Sequence, residues 1–256
     1  MPPLQLARVT RGVLSRLAVH VPPLVRWLPV GDSLVAEYHP SLHRAGERDL
    51  LVLLPGIGDM PRDFSRWGFI EELHGRAFPM DVVAVDTHYG YYARRTVIEC
   101  LHRDVMRPAG RVYRRIWLGG ISLGGFGALY YASHYPHDIT GVIAMAPFLG
   151  RRPLLEEIAR AGGLLRWQPR PEERDEIRRL WSWLKDYGVA GRVQPSLMLA
   201  YGDRDTFAMA HQLWAVVLPG ERVFVEPGGH DWKTWRRLWD RVVQSRPFAL
   251  HREPAT

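Results

Sequence analysis

The order of apolar and polar positions along the chain predicts strands and helices in alternation. Short, nearly continuous apolar runs, each followed within two residues by glycine, aspartate or proline, lie at 49–54, 82–85, 116–118, 139–145, 196–201 and 222–225. Most stretches between them carry apolar residues at three- and four-residue steps, as amphipathic helices do. Buried strands that alternate with helices are typical of a parallel sheet covered on both faces. We therefore predict an α/β fold with a mostly parallel central sheet and a short first strand at 34–38.

The same periodicity places the helices between these strands. They are expected around 64–73, 94–106, 126–135 and 208–217, and from 232 onward. The last helix carries Trp232, Trp235 and Trp239 at steps of three and four residues, and we interpret this stripe as core packing.

The alternation lapses at about 150–194, where we predict a small helical cap above the carboxyl ends of the strands. Pro171 near the start of a helix at about 171–187, acidic residues in its first turns and Gly188 after its end agree with helix chemistry. Two roles are open for the tryptophans of this interval, anchoring the cap or lining an acyl pocket. We favour anchoring for Trp167, Trp181 and Trp183.

Residues 1–30 differ in character from the rest of the chain, which we treat as a single domain over 1–256. Apolar side chains at three- and four-residue steps, with arginines between them, predict an amphipathic basic helix at 4–21. Charges interrupt each apolar stretch, so this helix is not interpreted as a secretory signal. It either packs on the domain, which we favour, or associates weakly with an anionic membrane surface.

Composition narrows the class of protein. Of the 256 residues, 46% are hydrophobic and 24% are charged, as in globular proteins, and no apolar run is long enough to span a membrane. The net charge of +7 comes from arginines scattered without a basic block or nucleic-acid motif, so we expect no nucleic-acid partner. Cys100 is the only cysteine, which excludes an internal disulfide and favours a reducing, cytoplasmic location.

The strongest chemical signal lies where an apolar run meets a cluster of glycines. Gly120-Ile121-Ser122-Leu123-Gly124 separates a predicted strand from a predicted helix, which is the arrangement of a nucleophile elbow. Glycines are needed there because so sharp a turn brings the strand and the helix too close for Cβ atoms. The serine hydroxyl then stands at the positive end of a helix, clear of the sheet. Ser122 is therefore the candidate nucleophile.

A serine hydroxyl alone is a weak nucleophile, so a base must take its proton and a carboxylate must orient that base. His230 follows the final predicted strand in a Gly-Gly-His sequence and is the candidate base. Asp203, Asp205 and Asp231 are candidates for the acid. Asp231 adjoins the histidine and is expected to point away from it, while Asp203 stands where a short acid commonly caps a turn. Asp205 lies further along a loop that can reach beneath the histidine, and we favour it over Asp203.

The oxyanion that forms during attack on a carbonyl needs two backbone N–H donors. One is expected from Leu123, the residue after the serine. The other is expected from Ile57 in the loop after the 49–54 run, with Gly58 as the alternative. No Gly-Lys-Ser/Thr sequence follows in this loop, so it is not a phosphate-binding loop.

Two segments carry a resemblance to a known family. Gly120-Ile-Ser-Leu-Gly-Gly-Phe-Gly-Ala-Leu129 and Gly228-Gly-His-Asp-Trp232 resemble the α/β-hydrolase superfamily, in particular the esterase D group of S-formylglutathione hydrolases, feruloyl esterases and mycolyltransferases. The resemblance runs from about Leu50 to Trp239. It implies Ser122 as nucleophile, His230 as base, Asp205 as acid, and Ile57 and Leu123 as oxyanion donors. Two positions depart from the family pattern: Leu123 stands where methionine is usual, and Pro55 replaces a histidine or acid.

These residues predict an enzyme that cleaves a small-molecule carboxylic ester or thioester through an acyl-enzyme on Ser122. No metal or organic cofactor is expected. Two alternatives stay open. The same triad can transfer the acyl group to an alcohol, or the fold can serve as a non-catalytic binding or scaffold protein that uses the basic N-terminal helix. The presence of all three triad residues argues against the second alternative.

Overall fold

The computed structural model describes residues 30–41, 43, 48–169, 175–187 and 194–249, and the helix predicted at 4–21 lies outside these residues. The strands are β1 (Ala36–His39), β2 (Asp49–Leu54), β3 (Met80–Val85), β4 (Arg115–Ile121), β5 (Gly141–Met145), β6 (Ser196–Gly202) and β7 (Val223–Glu226). They form one seven-stranded sheet in the order β1-β3-β2-β4-β5-β6-β7. Among the strands of the described residues, only β1 is antiparallel to its neighbour, so the predicted mostly parallel sheet is confirmed.

The helices follow the predicted alternation with two differences in detail. They are α1 (Arg62–Arg66), α2 (Phe69–Gly75), α3 (Tyr89–Ala93), α4 (Val97–Leu101), α5 (Arg107–Ala109), α6 (Leu123–His134), α7 (Arg152–Arg160), α8 (Glu176–Lys185), α9 (Ala208–Ala215) and α10 (Trp232–Gln244). The helix predicted at 64–73 is two helices, because Gly68 adopts a left-handed conformation between them with φ of 74°. The helix predicted at 94–106 is interrupted at Arg95, with φ of 58°, and contains a π-helical turn over His102–Met106.

Alternating side chains of the central strands divide the core into two layers. In β2, Leu50, Val52 and Leu54 face a cluster with α3, α4 and α6–α9, whereas Leu51 and Leu53 face a cluster with α1, α2 and α10. The sheet is therefore covered by helices on both faces, as its apolar strands predict. In the part of the chain described, no helix has the length and apolar character needed to cross a bilayer.

The cap interval contributes helices α7 and α8, and a tryptophan between them and one on α8 pack into the core. Trp167 and Trp181 are 2% and 0% exposed. The indole N–H of Trp181 donates to the carbonyl of Leu149, and that of Trp167 donates to Glu157. These contacts favour the anchoring role for both residues. Helix α8 begins after Asp175, whose carboxylate accepts a hydrogen bond from Arg178 N–H, and the predicted start at Pro171 is outside the described residues.

The order of the strands creates a crevice at one point of the sheet. β3 pairs with one side of β2, and the chain then crosses over so that β4 pairs with the other side. The connection after β2 therefore runs toward β3 and the connection after β4 runs toward β5, in opposite directions along the sheet. A crevice opens between them at the carboxyl ends of β2 and β4. The loop after β2 contains Gly56 and Ile57, and the turn after β4 contains Ser122. The topology brings these two segments together.

Close approach of α6 to the end of β2 is possible only because residue 124 is glycine. A Cβ atom there would lie 2.0 Å from the carbonyl oxygen of Leu54 and 2.7 Å from that of Pro55. Both obstacles are backbone atoms, so they cannot move without displacing the strand end or the helix.

We predict that Gly124→Ala destabilises the fold by at least about 3 kcal/mol, since overpacking against backbone exceeds the usual cost of an added methyl group. Gly75→Ala is the matched control. Gly75 is the last residue of α2, and a Cβ atom there meets nothing within 4 Å. The free energy of unfolding of Gly75→Ala should stay level with that of the wild-type protein or rise slightly. Urea unfolding of both variants measures the difference, and equal stability of the two would contradict this account of the turn.

Candidate active site

Ser122 occupies a strained turn between β4 and α6. Its backbone has φ of 54° and ψ of −112°, a conformation that residues with a Cβ atom rarely adopt. Hydrogen bonds hold it there, because Ser122 N–H donates to Met145 O at 2.9 Å and Ser122 O accepts from Phe148 N–H at 3.0 Å. A Cβ atom at Gly120 would lie 2.2 Å from Gly124 O, so the tight turn also requires a glycine on its strand side. The Ser122 side chain makes no capping bond to the helix, which leaves its hydroxyl free to face the crevice.

The hydroxyl lies at one end of a chain of hydrogen bonds. Ser122 Oγ is 3.0 Å from His230 Nε2, and His230 Nδ1 is 2.8 Å from Asp205 Oδ2. The three residues come from the turns after β4, β7 and β6, respectively. These distances fit a tautomer in which Nδ1–H donates to the carboxylate and Nε2 accepts the serine proton. The structure thus brings together the three side chains that the sequence selects.

Asp205 is the aspartate in contact with the histidine ring. Its side chain is 0% exposed, and Oδ1 accepts a hydrogen bond from Phe207 N–H at 2.8 Å. A buried carboxylate is costly unless its oxygens are bonded, so these contacts fix its orientation. Asp203 instead accepts from Gly228 N–H, and Asp231 caps α10 by accepting from Thr234 N–H. Asp203 thus bonds a backbone N–H, as expected, but one in the loop after β7 and not in its own turn. The helix-capping bond of Asp231 was not predicted, although it agrees with the expectation that this side chain points away from the imidazole.

Two aromatic rings hold the imidazole of His230 on its sides. Phe207 stands at 5.0 Å and Trp235 at 4.9 Å between ring centroids, each with its plane turned 88° from that of the imidazole. Such edge-to-face contacts stabilise one ring orientation. Phe207 was not among the predicted site residues, and Trp235 was predicted only to pack in the core. The proximity of Phe207 to Asp205 in the sequence was the one signal available.

Candidate oxyanion donors lie on both sides of the serine. Leu123 is the first residue of α6, so its N–H has no acceptor within that helix. Ile57 lies in the turn closed by the hydrogen bond from Asp59 N–H to Gly56 O, and a Cβ atom at Gly56 would stand 3.6 Å from Ser122 Cβ. The loop after β2 therefore approaches the nucleophile closely. That these two N–H groups bind an oxyanion remains a prediction.

Two cavities meet at Ser122 and Ile57. The first, of about 790 Å³, is lined by the cap and mainly by apolar side chains, and we call it the cap cavity. Its apolar wall includes Tyr89, Leu123, Phe148, Leu154, Ile177 and Phe207, and its charged lining residues are Arg151, Asp175 and Arg178. The second, of about 720 Å³, lies on the α10 side, and we call it the tryptophan cavity; Asp59, Trp67, His230, Trp232, Lys233 and Trp235 line it. A ligand bound at Ser122 can therefore extend in two directions.

A comparison with protein families identifies the chain. Residues 87–242 match the model of the Esterase family, described as “Putative esterase”. The match spans more than half of the chain and includes β4, Ser122, Asp205 and His230. The chain belongs to this esterase family. Ile57 lies before the matched residues. No curated protein sequence matches the chain.

Solved structures of other esterases share the fold. S-formylglutathione hydrolase (FrmB) from Staphylococcus aureus is 15% identical with a TM-score of 0.55, and the alignment covers 84% of this chain and 97% of that one. Est1E from Butyrivibrio proteoclasticus is 17% identical with a TM-score of 0.57, covering 84% and 93%. An S-formylglutathione hydrolase from Agrobacterium tumefaciens is 14% identical with a TM-score of 0.51, covering 82% and 88%. The α/β-hydrolase fold and the resemblance to this esterase group are confirmed. Among the described residues, no cluster of acidic, histidine or cysteine side chains could hold a metal ion.

A buried histidine of this esterase supports the loop behind Ser122. His211, on α9, is 0% exposed, and its Nε2 is 3.0 Å from the carbonyl oxygen of Pro147. Phe148, the next residue, donates its N–H to Ser122 O. Nδ1 of His211 is buried without a hydrogen-bond partner among the described residues. Burial lowers the pKa of His211 to about 4, against the weaker opposing effects of the Pro147 carbonyl and the Asp205 charge.

This lowered pKa predicts a pH dependence of stability. Between pH 4 and the ordinary histidine pKa of 6.5, the unfolded chain binds a proton at His211 that the folded protein does not. The free energy of unfolding should therefore fall as the pH is lowered through this range, by about 1.4 kcal/mol per unit from this residue. His211→Gln keeps a donor for Pro147 O and removes the titration, so its unfolding free energy should fall less steeply. Urea unfolding at pH 4.5 to 7 measures both slopes, and parallel slopes would contradict the prediction.

Proposed function

We propose that this esterase is a serine hydrolase that cleaves carboxylic esters or thioesters through an acyl-enzyme on Ser122. Ser122 is its nucleophile, His230 its general base and Asp205 the acid that orients the base. The observation that carries the proposal is the pair of hydrogen bonds at His230, 3.0 Å to Ser122 Oγ and 2.8 Å to Asp205 Oδ2. Membership of the esterase family agrees with this reaction class.

Acylation follows from the positions of these groups. Ser122 Oγ attacks the carbonyl carbon of the ester while its proton passes to His230 Nε2. Negative charge develops on the carbonyl oxygen, where the N–H groups of Ile57 and Leu123 would stabilise it. The buried carboxylate of Asp205 stabilises the imidazolium that forms. His230 then returns the proton to the departing oxygen or sulfur, and the acyl group stays on Ser122.

Deacylation repeats the same steps with water. His230 Nε2 takes a proton from a water molecule, whose oxygen attacks the acyl carbon, and the proton then passes to Ser122 Oγ as the acid leaves. No metal ion or organic cofactor is needed by any step. Thioesters are included because the same atoms act on a thiol leaving group, and because two structures that share the fold are S-formylglutathione hydrolases.

The non-catalytic alternative is disfavoured by the geometry at His230. Both ring nitrogens are satisfied by the predicted partners, and two aromatic rings restrict the imidazole to this orientation. A binding protein has no need for a strained serine aligned with a histidine and a buried carboxylate. Such strain persists where it contributes to function.

Labelling tests the nucleophile directly. We expect a fluorophosphonate probe to modify the protein once, at Ser122, because the probe reacts with a serine activated by a base. Ser122→Ala should remain folded, lose the label and lose ester hydrolysis. Ser133→Ala is the matched control, since Ser133 lies on the same helix, bonded to Tyr130 O. Peptide mapping identifies the labelled residue. A well-folded wild-type protein that takes no label would refute the enzyme proposal.

A second experiment separates the two candidate acids. Asp205→Asn should lower kcat by about 10⁴-fold, the effect known for a triad acid, because the amide no longer favours the tautomer that accepts the serine proton. Asp203→Asn should keep most of the activity, since Asp203 bonds Gly228 N–H and not the imidazole. Adding Asp205→Asn to Ser122→Ala should cost almost nothing further, because triad residues act as a unit. Loss of turnover in Asp203→Asn with normal turnover in Asp205→Asn would move the assignment to Asp203.

A further inference from the structure

The two cavities at Ser122 differ in which catalytic group they contain. His230 lines the tryptophan cavity, whereas Leu123, the candidate oxyanion donor, lines the cap cavity. Phe207 also lines the cap cavity and stands edge-to-face against the imidazole. The ring of Phe207 therefore lies between the cap cavity and the base.

This arrangement restricts how an ester can bind. The leaving oxygen must reach His230 Nε2 to receive its proton, and the rest of the leaving group extends beyond that oxygen. The acyl chain extends the other way from the carbonyl carbon. Because the base opens into the tryptophan cavity, the leaving group lies there and the acyl chain lies in the cap cavity.

We propose that the tryptophan cavity is the binding site for the alcohol or thiol part of the substrate, and that it takes a leaving group with an apolar ring. This inference rests on the proposed serine hydrolase function. By microscopic reversibility the same cavity receives the group that attacks the acyl-enzyme. Water or an alcohol R–OH gives its proton to His230 Nε2, its oxygen forms the new bond to the acyl carbon, and the proton then passes to Ser122 Oγ as the acyl–serine bond breaks.

The walls of the cavities indicate the chemistry of each part of the substrate. In the tryptophan cavity, the rings of Trp67 and Trp232 stack at 5.9 Å with planes 5° apart, and Trp232 Nε1–H donates to Asp59. This aromatic wall offers apolar contact to a ring, and Lys233 and Asp59 add polar groups. Large aromatic surfaces of this kind contribute strongly to binding of apolar rings.

The cap cavity has a different wall. Phe148 and Phe207 meet edge-to-face at 5.5 Å, and Leu154 and Ile177 of the cap face the same space. The guanidinium of Arg178, which lines this cavity, is already bound to Glu157 at 2.8 Å and 2.5 Å. An aliphatic acyl chain fits such a surface, with chain length limited by the cap.

Two series of esters separate the cavities. The first keeps the butyryl group and varies the alcohol among ethyl, benzyl and 2-naphthylmethyl. The second keeps the benzyl alcohol and varies the acyl group among acetyl, butyryl and octanoyl. We expect Trp67→Ala to lower kcat/KM for the ring-bearing alcohols about tenfold relative to ethyl, as loss of a few apolar contacts does, without changing the acyl preference. Leu154→Trp should discriminate against octanoyl by a similar factor and leave the alcohol preference unchanged.

The deacylation step gives an independent readout. Once the leaving group has departed, only the cap cavity is occupied, so Trp67→Ala should leave the rate of acyl-enzyme hydrolysis within about twofold. The fraction of acyl-enzyme that passes its acyl group to added benzyl alcohol instead of water should fall by the same factor as kcat/KM for the benzyl ester. If Trp67→Ala instead disturbed the structure of the whole site, the rates of acylation and of acyl-enzyme hydrolysis would change by the same factor.

The control variants keep the test decisive. Trp183→Ala removes a partly buried tryptophan that lines neither cavity, and it should change no preference. Trp67→Phe keeps an aromatic ring against Trp232 and should shift the alcohol preference in the same direction by a smaller factor, should Trp67→Ala fail to fold. Fluorophosphonate labelling is measured alongside. Unlabelled, folded wild-type protein refutes the proposed function and this inference with it. The cavity assignment alone is overturned if the protein is labelled and active but Trp67→Ala changes the acyl preference. It is likewise overturned if Trp67→Ala leaves the alcohol preference unchanged.

Discussion

The backbone of Ser122 adopts a left-handed conformation at the tip of β4, and the rest of the site depends on this turn. The turn points the hydroxyl into the crevice where the order of the strands reverses. It can form because glycines at 120 and 124 remove the Cβ atoms that would meet backbone carbonyls. The strain is balanced by hydrogen bonds from the strand and loop around it, to Met145 O and from Phe148 N–H. The loop of Phe148 is in turn supported by His211, a histidine that burial keeps neutral.

The orientation of the His230 imidazole depends on a buried carboxylate. Asp205 is fully buried, and each of its carboxylate oxygens receives a hydrogen bond, one from Phe207 N–H and one from the imidazole of His230. A buried carboxylate held in this way fixes the tautomer of its partner. Phe207 and Trp235 restrict the ring to one plane. The imidazole is thereby oriented without a substrate, and in the proposed reaction this would reduce the reorganisation needed in the transition state.

The ring of Phe207 that contacts the imidazole lines one of the two cavities that meet at Ser122. This cavity is mainly apolar and lies under the cap helices, whereas the other is aromatic and is lined by His230, the proposed base. Acyl group and leaving group are thus expected to contact different secondary-structure elements, the cap for one and α1 with α10 for the other. Each part of the substrate could then be selected independently, because residues that share no partner contribute nearly additively.

The sequence by itself determined the class of fold, the order of its elements and the candidate residues of the site. Short buried strands between amphipathic stretches fix a parallel sheet, because few other arrangements bury apolar strands on both faces. The sequences Gly-x-Ser-x-Gly and Gly-Gly-His indicate tight turns that need glycine. For this reason Ser122 and His230 could be selected from the sequence. The choice among Asp203, Asp205 and Asp231 rested on local turn chemistry, and only the fold brought the Asp205 carboxylate against the imidazole. The contacts of Phe207 and Trp235 with His230 and the two cavities were decided by tertiary structure. They depend on residues distant in sequence, such as 67 with 232 and 148 with 207, and no local period encodes such pairs.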